Sequence, residues 1–415
     1  MKSRYFKTYG GLPREMYFIF AARVINCMGS FIVPLLTLIL TQKLGMSKTE
    51  TGSFSALLIM SQGPCLLLGG KLIDTIGRKK LLITCEIFGS FFYILCGLLK
   101  AHSGMAIFIV IAADLYIMAA PAFDAMVADI TTPENRKSAF SLIYLGINIG
   151  MTISPLLGGL LFQNYLPLLF ILDAVTTLAS ALLLAVFVKE TKNRQNQAAA
   201  ADVQSNPAEN KSVFRVLWSV PVLLIFLAII FIYDFTYTQW NFMLPLQFGD
   251  LYGANGARFY SIMTALNSFV VISMTPLLTH LTQRFRPLVV ISGGGILYVG
   301  AFAVFGLVKD MPLFLAAAVL FTFGEIIVTI NWGTFIADHS PPAYRGRINS
   351  IFMFTRGTAG ALGPLIMSHV ITATNYFITW CAVAILMLAG AAGMFLLNEK
   401  EKRASIQASA LDDAI

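Results

Sequence analysis

"GGKLIDTIGRKK", residues 69–80, sets Asp74 four residues ahead of three consecutive basic side chains, with glycines on either side. Residues 51–70 before it and 81–99 after it are strongly apolar. Each run is about 20 residues long, the length at which a helix crosses a bilayer. A short charged turn between two such runs marks one face of a membrane. That reading, carried outward along the chain, decides the fold class.

The rest of the chain repeats the pattern. Apolar spans run roughly over 16–40, 51–70, 81–99, 105–127, 139–162, 167–188, 218–246, 258–280, 288–308, 312–336, 348–371 and 376–397. Of the 415 residues 57% are hydrophobic and only 12% charged, with a mean hydropathy of +0.76, too few charges to cover a water-facing surface. Uninterrupted spans of this length call for helices; a β-barrel would show shorter segments of alternating polarity. Met1 to Glu15 is polar and leads into a full-length span, so the first helix is expected to stay in the membrane. The five cysteines all lie inside apolar runs, which gives no disulfide framework and no metal pair. His102, His280, His339 and His369 have no metal-like spacing either.

The formal net charge of +8 would suit nucleic acid, but its distribution argues otherwise. With the N-terminus inside, the inner segments hold most of the Lys and Arg, and the outer ones only Lys43, Lys48, Lys100, Arg258 and Lys309. That bias places both termini in the cytoplasm. The stretch 189–215 is polar, lacks aromatics until Phe214, and reads as a linker.

The halves on either side of the linker resemble each other. "ADITTPENRKSAFS" (128–141) aligns with "ADHSPPAYRGRINS" (337–350) at one constant offset, matching Ala, Asp, Pro, Arg and the last Ser. The same offset carries Pro155 onto Pro364. With six spans each, both halves begin on the same side, so the axis relating them lies along the membrane normal, as in alternating-access carriers. The expected architecture is an all-α polytopic membrane protein of twelve transmembrane helices. It comprises an N-terminal six-helix bundle (1–188), a cytoplasmic linker (189–215), a C-terminal six-helix bundle (216–400) and a cytoplasmic tail (401–415).

The opening stretch resembles the loop between spans two and three of the major facilitator superfamily, G-x-L-x-D-x-x-G-R-[KR]: Gly70, Leu72, Asp74, Gly77, Arg78 and Lys79 all fit. "PAFDAMVADITTPENR" looks like that superfamily's drug:proton antiporter branch of multidrug exporters. The resemblance implies a gating latch. Gly70 and Gly77 permit a tight turn. Asp74 caps the start of span eleven. Arg78 pairs with Asp129, and Arg136 stands in the adjoining loop. Antiporters of the branch also carry a Gly/Pro motif on span five, and "SLIYLGINIGMTISPLLGG" supplies Gly150, Pro155, Gly158 and Gly159, with Ser141 and Ser154 where glycines are usual. Small residues allow close helix approach and Pro bends the span.

Ionisable groups at bilayer depth are costly and default to functional candidates. Here they are Arg23, Glu86, Asp114, Asp124, Asp173, Asp234, Glu325 and Arg356. The resemblance puts spans one, four, seven and ten around a central cavity. That ranks Arg23, Asp114, Asp234 and Glu325 above Glu86 and Asp173, with Glu86 reaching toward the cytoplasmic interface. A carboxyl group withdrawn from water binds a proton near neutral pH, and Asp234 and Glu325 are the first choices for that task. The bland alternative is a permanent ion pair of Asp234 or Asp114 with Arg23 or Arg356. Asp124 lies nearer the end of its span, where gating is as open to it as binding. Tyr233, Tyr237 and Trp240 share one helix face by spacing; Asp234, Tyr237 and Asn241 share its neighbour, and Trp332 lies two turns from Glu325. Acids beside aromatics suit a lipophilic cation; plain helix packing is the alternative. Asn26, Asn148, Asn267 and Asn331 are further polar cavity candidates, few enough to disfavour a sugar-like substrate.

No P-loop and no nucleophile–base motif is found, so neither ATP-driven pumping nor catalysis by this chain is expected. The function this implies is secondary active transport by alternating access. The form favoured is proton-coupled export of lipophilic or cationic compounds; the alternative is a carrier of another metabolite, peptide, sugar or lipid-linked substrate. The expected energy source is a proton gradient, with no cofactor and no metal. The partners are a small-molecule substrate, protons and the lipid bilayer, not nucleic acid, and the protein is a multi-pass monomer of the cell membrane.

Overall fold

The computed structural model describes residues 10–99, 104–191, 217–218, 220–340 and 345–412. Most of the expected linker (192–215), the end of the tail (413–415), and the side chains of Asp74, Pro133, Glu134, Lys137, Ala337 and residues 345–347 and 404–412 lie outside that description. The described residues are helical throughout: α1 (Arg14–Met28), α2 (Ile32–Leu38), α3 (Lys48–Ile76), α4 (Arg78–Leu98), α5 (Met105–Ile130), α6 (Pro133–Leu161) and α7 (Leu166–Phe187), then α8 (Pro221–Tyr237), α9 (Gln239–Tyr252), α10 (Gly256–Thr282), α11 (Pro287–Leu307), α12 (Met311–His339), α13 (Arg345–Ala373) and α14 (Tyr376–Asp412). Ten stretches are long and apolar enough to cross a membrane, one of them, Pro221–Thr282, being 62 residues long and holding α8, α9 and α10. The 29-residue α13 falls outside those ten; Arg345, Arg347 and Arg356 dilute its hydropathy. Taking α1–α2 and α8–α9 as one rod each gives the twelve rods expected from sequence. Helices are what the bilayer permits, since every backbone N–H and C=O is satisfied within the segment.

The chain forms two compact units. One lies within Met1–Asn206 together with Pro245–Phe269, the other within Pro207–Leu244 together with Val270–Ile415. In the first, packing runs α3 on α5, α5 on α4, α4 on α7, α7 on α1 and α1 on α6. In the second it runs α12 on α11, α11 on α14, α14 on α8 and α8 on α13. Translated into spans, both follow one order: four, three, six, one, five becomes ten, nine, twelve, seven, eleven. The internal repeat seen in the sequence is thus a repeat of packing order.

Local rules set the helix starts. Ser47 caps α3 in a reciprocal box with Glu50 (Ser47 N to Glu50 Oε2 at 2.8 Å, Glu50 N to Ser47 Oγ at 3.2 Å). Thr132 and Asn135 form a similar box at α6, which begins before the expected residue 139. The helix α3 in turn runs to Ile76, so Gly70 and Asp74 belong to its last turns and not to a loop. Only Gly77 makes the turn. Its φ of +102° is open to glycine and strained for any other residue, and α4 starts directly after it.

Span one is broken where the sequence suggested a continuous helix. The chain leaves helical geometry between Met28 and Ile32. Two polar groups from neighbouring helices repair the exposed backbone. Asp173 of α7 accepts from the N–H of Phe31 (3.0 Å) and of Ile32 (3.4 Å). Ser154 of α6 donates to the carbonyl of Ser30 at 2.6 Å. The serine standing where the motif expects glycine thus satisfies a carbonyl the break leaves open, a group that would otherwise cost free energy in a dry interior. Gly150 of the same helix is pressed against span one, and a methyl group there would overlap Cys27 and the backbone N of Met28. Gly150→Leu is therefore expected to prevent normal packing of the first unit. Overpacking costs about 1–3 kcal/mol, more where backbone must move. A monodisperse size-exclusion peak at wild-type yield would contradict that.

Candidate functional site

The second unit gathers five of the predicted residues into one place. Arg356 of α13 points its Nε at Asp234 of α8, 3.0 Å from each carboxylate oxygen. Its guanidinium also lies over the Trp332 ring of α12, 4.8 Å from the centroid. One helical turn beyond Asp234, the Tyr237 hydroxyl donates to Glu325 Oε1 at 2.8 Å. Asp234 and Tyr237, one turn apart on α8, thus hold Arg356 of α13 and Glu325 of α12 side by side. Asp234 is mostly buried (14% exposed), while Arg356 keeps 35% of its side chain open. A guanidinium on an aromatic face gains cation–π attraction and keeps its fork aimed. The pair is the ion pair weighed above as the bland alternative, built between two helices of one unit.

Aromatic rings wall off Glu325. Tyr237 stacks on Phe321 (5.5 Å between centroids), Phe321 stacks on Trp240 (4.4 Å, planes 12° apart), and Tyr298 lies against both Tyr237 and Phe321. The expectation that Tyr233 and Trp240 line a cavity gives way here. Tyr233 is buried and donates to the carbonyl of Ile291 at 3.0 Å, and Trp240 is 3% exposed within the ring stack. Trp240 keeps the face that spacing implied, stacked on the same Phe321 ring as Tyr237, but the rings close that face against the core. Asn331 spends its amide on the Ile327 carbonyl (2.7 Å) of its own helix, and Asn241 is exposed one turn past the break.

In the first unit, Arg23 of α1 lies over the Phe123 ring, 4.8 Å from its centroid, next to exposed Asp124. Asp114 accepts from Ser61 of α3 at 2.9 Å. Asn26 is also not open: its amide donates to Thr177 of α7 at 3.2 Å. Glu86 and Asp173 are both buried, at 9% and 5% exposure, and Glu86 faces the core rather than the cytoplasmic interface expected for it.

The charged turn from the opening stretch is a compact polar knot. Arg78, buried at α4's first position, donates from Nε to Asp129 at the end of α5 (3.2 Å). Thr191 donates to the same carboxylate at 2.9 Å. The Glu190 carboxylate caps α4, accepting from the backbone N–H of Arg78 (2.9 Å), Lys79 (3.4 Å) and Lys80 (3.3 Å). An acid at a helix N-terminus meets free N–H groups and the positive end of the dipole. Arg136 lies inside α6 and donates to the carbonyls of Ala128 and Thr131 at the end of α5. Glu190 and Thr191 were absorbed into the linker by sequence; an acid just past the end of span six was the available clue.

A membrane-spanning helical protein with two repeated bundles, and carboxylates buried beside arginines at mid-span, has the make-up of a carrier rather than an enzyme. The chain belongs to the Major Facilitator Superfamily, whose family model matches residues 19–364. It is 25% identical over 343 residues to an uncharacterised MFS-type transporter, YqjV, of Bacillus subtilis (strain 168), covering 81% of this chain and 80% of the relative. It is 23% identical over 342 residues to a Na(+), Li(+), K(+)/H(+) antiporter of Planococcus maritimus, covering 76% and 80%. Among solved structures, the nucleoside transporter NupG superposes with a TM-score of 0.75 at 14% identity, over 93% of this chain and 99% of that one, a likeness of fold alone.

Proposed function

We propose that this transporter exchanges protons for lipophilic, cationic compounds and exports them, with both termini in the cytoplasm. The observation that carries the reading is the Asp234–Arg356 pair standing one turn from Tyr237–Glu325. Two carboxylates and one guanidinium leave one negative charge among the three. A proton or an organic cation neutralises it equally well, so the two compete for the same acids. Glu325, hydrogen-bonded by a phenol inside an aromatic wall, is suited to hold the proton. Asp234, when it loses Arg356, is suited to meet the cation, and Trp332 offers it a π face. The antiporter named among the relatives supports cation-for-proton exchange as a chemistry of similar chains.

Reconstitution in liposomes under an imposed pH gradient tests the reading, with lumenal pH followed while lipophilic cations and neutral drugs are added. Compound-triggered proton movement, lost in Glu325→Gln, is the expected result. Silence toward every compound, from folded and inserted protein, would favour the carrier of another metabolite.

The knot at Gly77–Arg78, with Asp129 and Glu190, is proposed to act with Asp74 as the gating latch. Asp74→Asn is expected to insert normally yet transport about tenfold more slowly, the factor that about 1.4 kcal/mol of lost charge–dipole attraction supplies. Wild-type initial rates in that variant would remove Asp74 from the gate.

A further inference from the structure

Phe123 and Trp332 stand at equivalent positions of the internal repeat, related by the offset that carries residue 128 onto 337. Each ring has a guanidinium 4.8 Å from its centroid, Arg23 over Phe123 and Arg356 over Trp332. The two arginines come from non-equivalent helices, span one and span eleven, so the likeness is one of chemistry and not of inherited side chains. In the second unit the guanidinium has a carboxylate partner. In the first it has none within hydrogen-bonding reach among the described residues: Arg23 Nε is buried without a partner there, and so is Oε2 of Glu86.

These two groups and Asp124 stand on three helices that share one core. Ala22, Cys85 and Phe123, their immediate neighbours in sequence on α1, α4 and α5, all belong to a single buried apolar cluster. Two carboxylates and one guanidinium again leave one negative charge, here with two buried polar atoms unsatisfied. Such a set is costly unless something binds to it.

We propose that Arg23, Glu86 and Asp124 form a second proton-binding centre, in which Glu86 takes up and releases a proton beside the fixed charge of Arg23. Protonation gives the Glu86 carboxyl a hydrogen to donate and leaves Arg23 to balance Asp124 alone. Asp124 is exposed and supplies the route by which the proton passes to and from water. The other groups around Glu86 are already engaged. On α5, Tyr116 shares a hydrogen bond with Ser90 at 3.2 Å, and on α7, Asp173 is held by the backbone N–H groups of Phe31 and Ile32. The helix α3 carries Glu50 and Lys71 toward its two ends, with Cys65 beside Asp114. Cys85 and the fully buried Tyr93 share α4 with Glu86. A carrier with one such centre in each unit exchanges more than one proton per cycle; that stoichiometry rests on the proton-coupled reading above, whereas proton binding at Glu86 does not.

The test counts protons released by purified, detergent-solubilised protein when a weakly buffered solution is stepped from neutral to alkaline pH against an indicator dye. Glu86→Gln is expected to release one proton fewer than wild type, Glu86→Asp to retain it, and Glu86→Gln with Glu325→Gln to lose one more. If Glu86→Gln aggregates, Arg23→Gln/Glu86→Gln removes both charges together and reads the same loss. An unchanged count in a folded Glu86→Gln protein overturns the proposal. An unchanged count in Glu325→Gln, with the Glu86 loss intact, instead overturns the assignment of the proton to Glu325 and leaves this centre standing.

Discussion

Glu325→Gln and Asp234→Asn are each expected to abolish uphill, proton-driven accumulation in liposomes while leaving slow downhill movement of substrate. Glutamine keeps the shape and still accepts the Tyr237 hydroxyl, so packing around the aromatic wall is retained. What is lost is the one event that ties substrate to the gradient, the gain and loss of a charge in a place poor in water. Asp234→Asn frees Arg356 from its two 3.0 Å contacts and leaves an unbalanced cation where a cationic substrate must sit. That variant is expected to lose affinity for cations as well as drive, and Glu325→Gln to lose drive alone. Flux assays with and without a pH gradient separate the two. Accumulation against a gradient in both variants would strip these acids of the proton role.

Arg356→Ala is expected to do more damage than either. Removing one partner of a buried pair costs about 3–5 kcal/mol because the other charge is left uncompensated. Water reaching the open side of Arg356 puts this case toward the lower end of that range, and Asp234 escapes part of the cost by holding a proton permanently. The variant should therefore melt well below wild type and show no proton-coupled flux. Adding Asp234→Asn to a neutral Arg356→Gln removes both charges, and thermal stability is expected to return while drive stays absent. Equal stability of Arg356→Ala and wild type would mean the pair contributes nothing to the bundle.

Much of this was legible because a bilayer imposes simple rules. Segment length gave the twelve rods, and one offset gave the repeat that the packing order reproduces. Asp129 as the partner of Arg78 followed from the resemblance of the turn. Rotation of each helix about its axis was not legible. Glu86 and Asp173 were ranked low because the resemblance puts spans three and six away from the cavity; and an almost wholly apolar span has no polar stripe to orient it, so Tyr233 and Trp240 were expected to be open when they are core. Breaks were missed for a related reason. Gly29 does not signal a stop by itself; the chain can part there because Asp173 and Ser154 satisfy what the break exposes. Such tertiary compensation leaves no mark in a local window of sequence.

The central claim is that a proton and an organic cation compete for the Asp234–Glu325 centre. Binding of tetraphenylphosphonium to the purified protein, titrated in weakly buffered detergent solution with a pH indicator, measures that competition directly. The account predicts that each binding event expels protons into solution, and that Glu325→Gln binds the same cation without expelling them. Binding by the wild type with no proton release would contradict it.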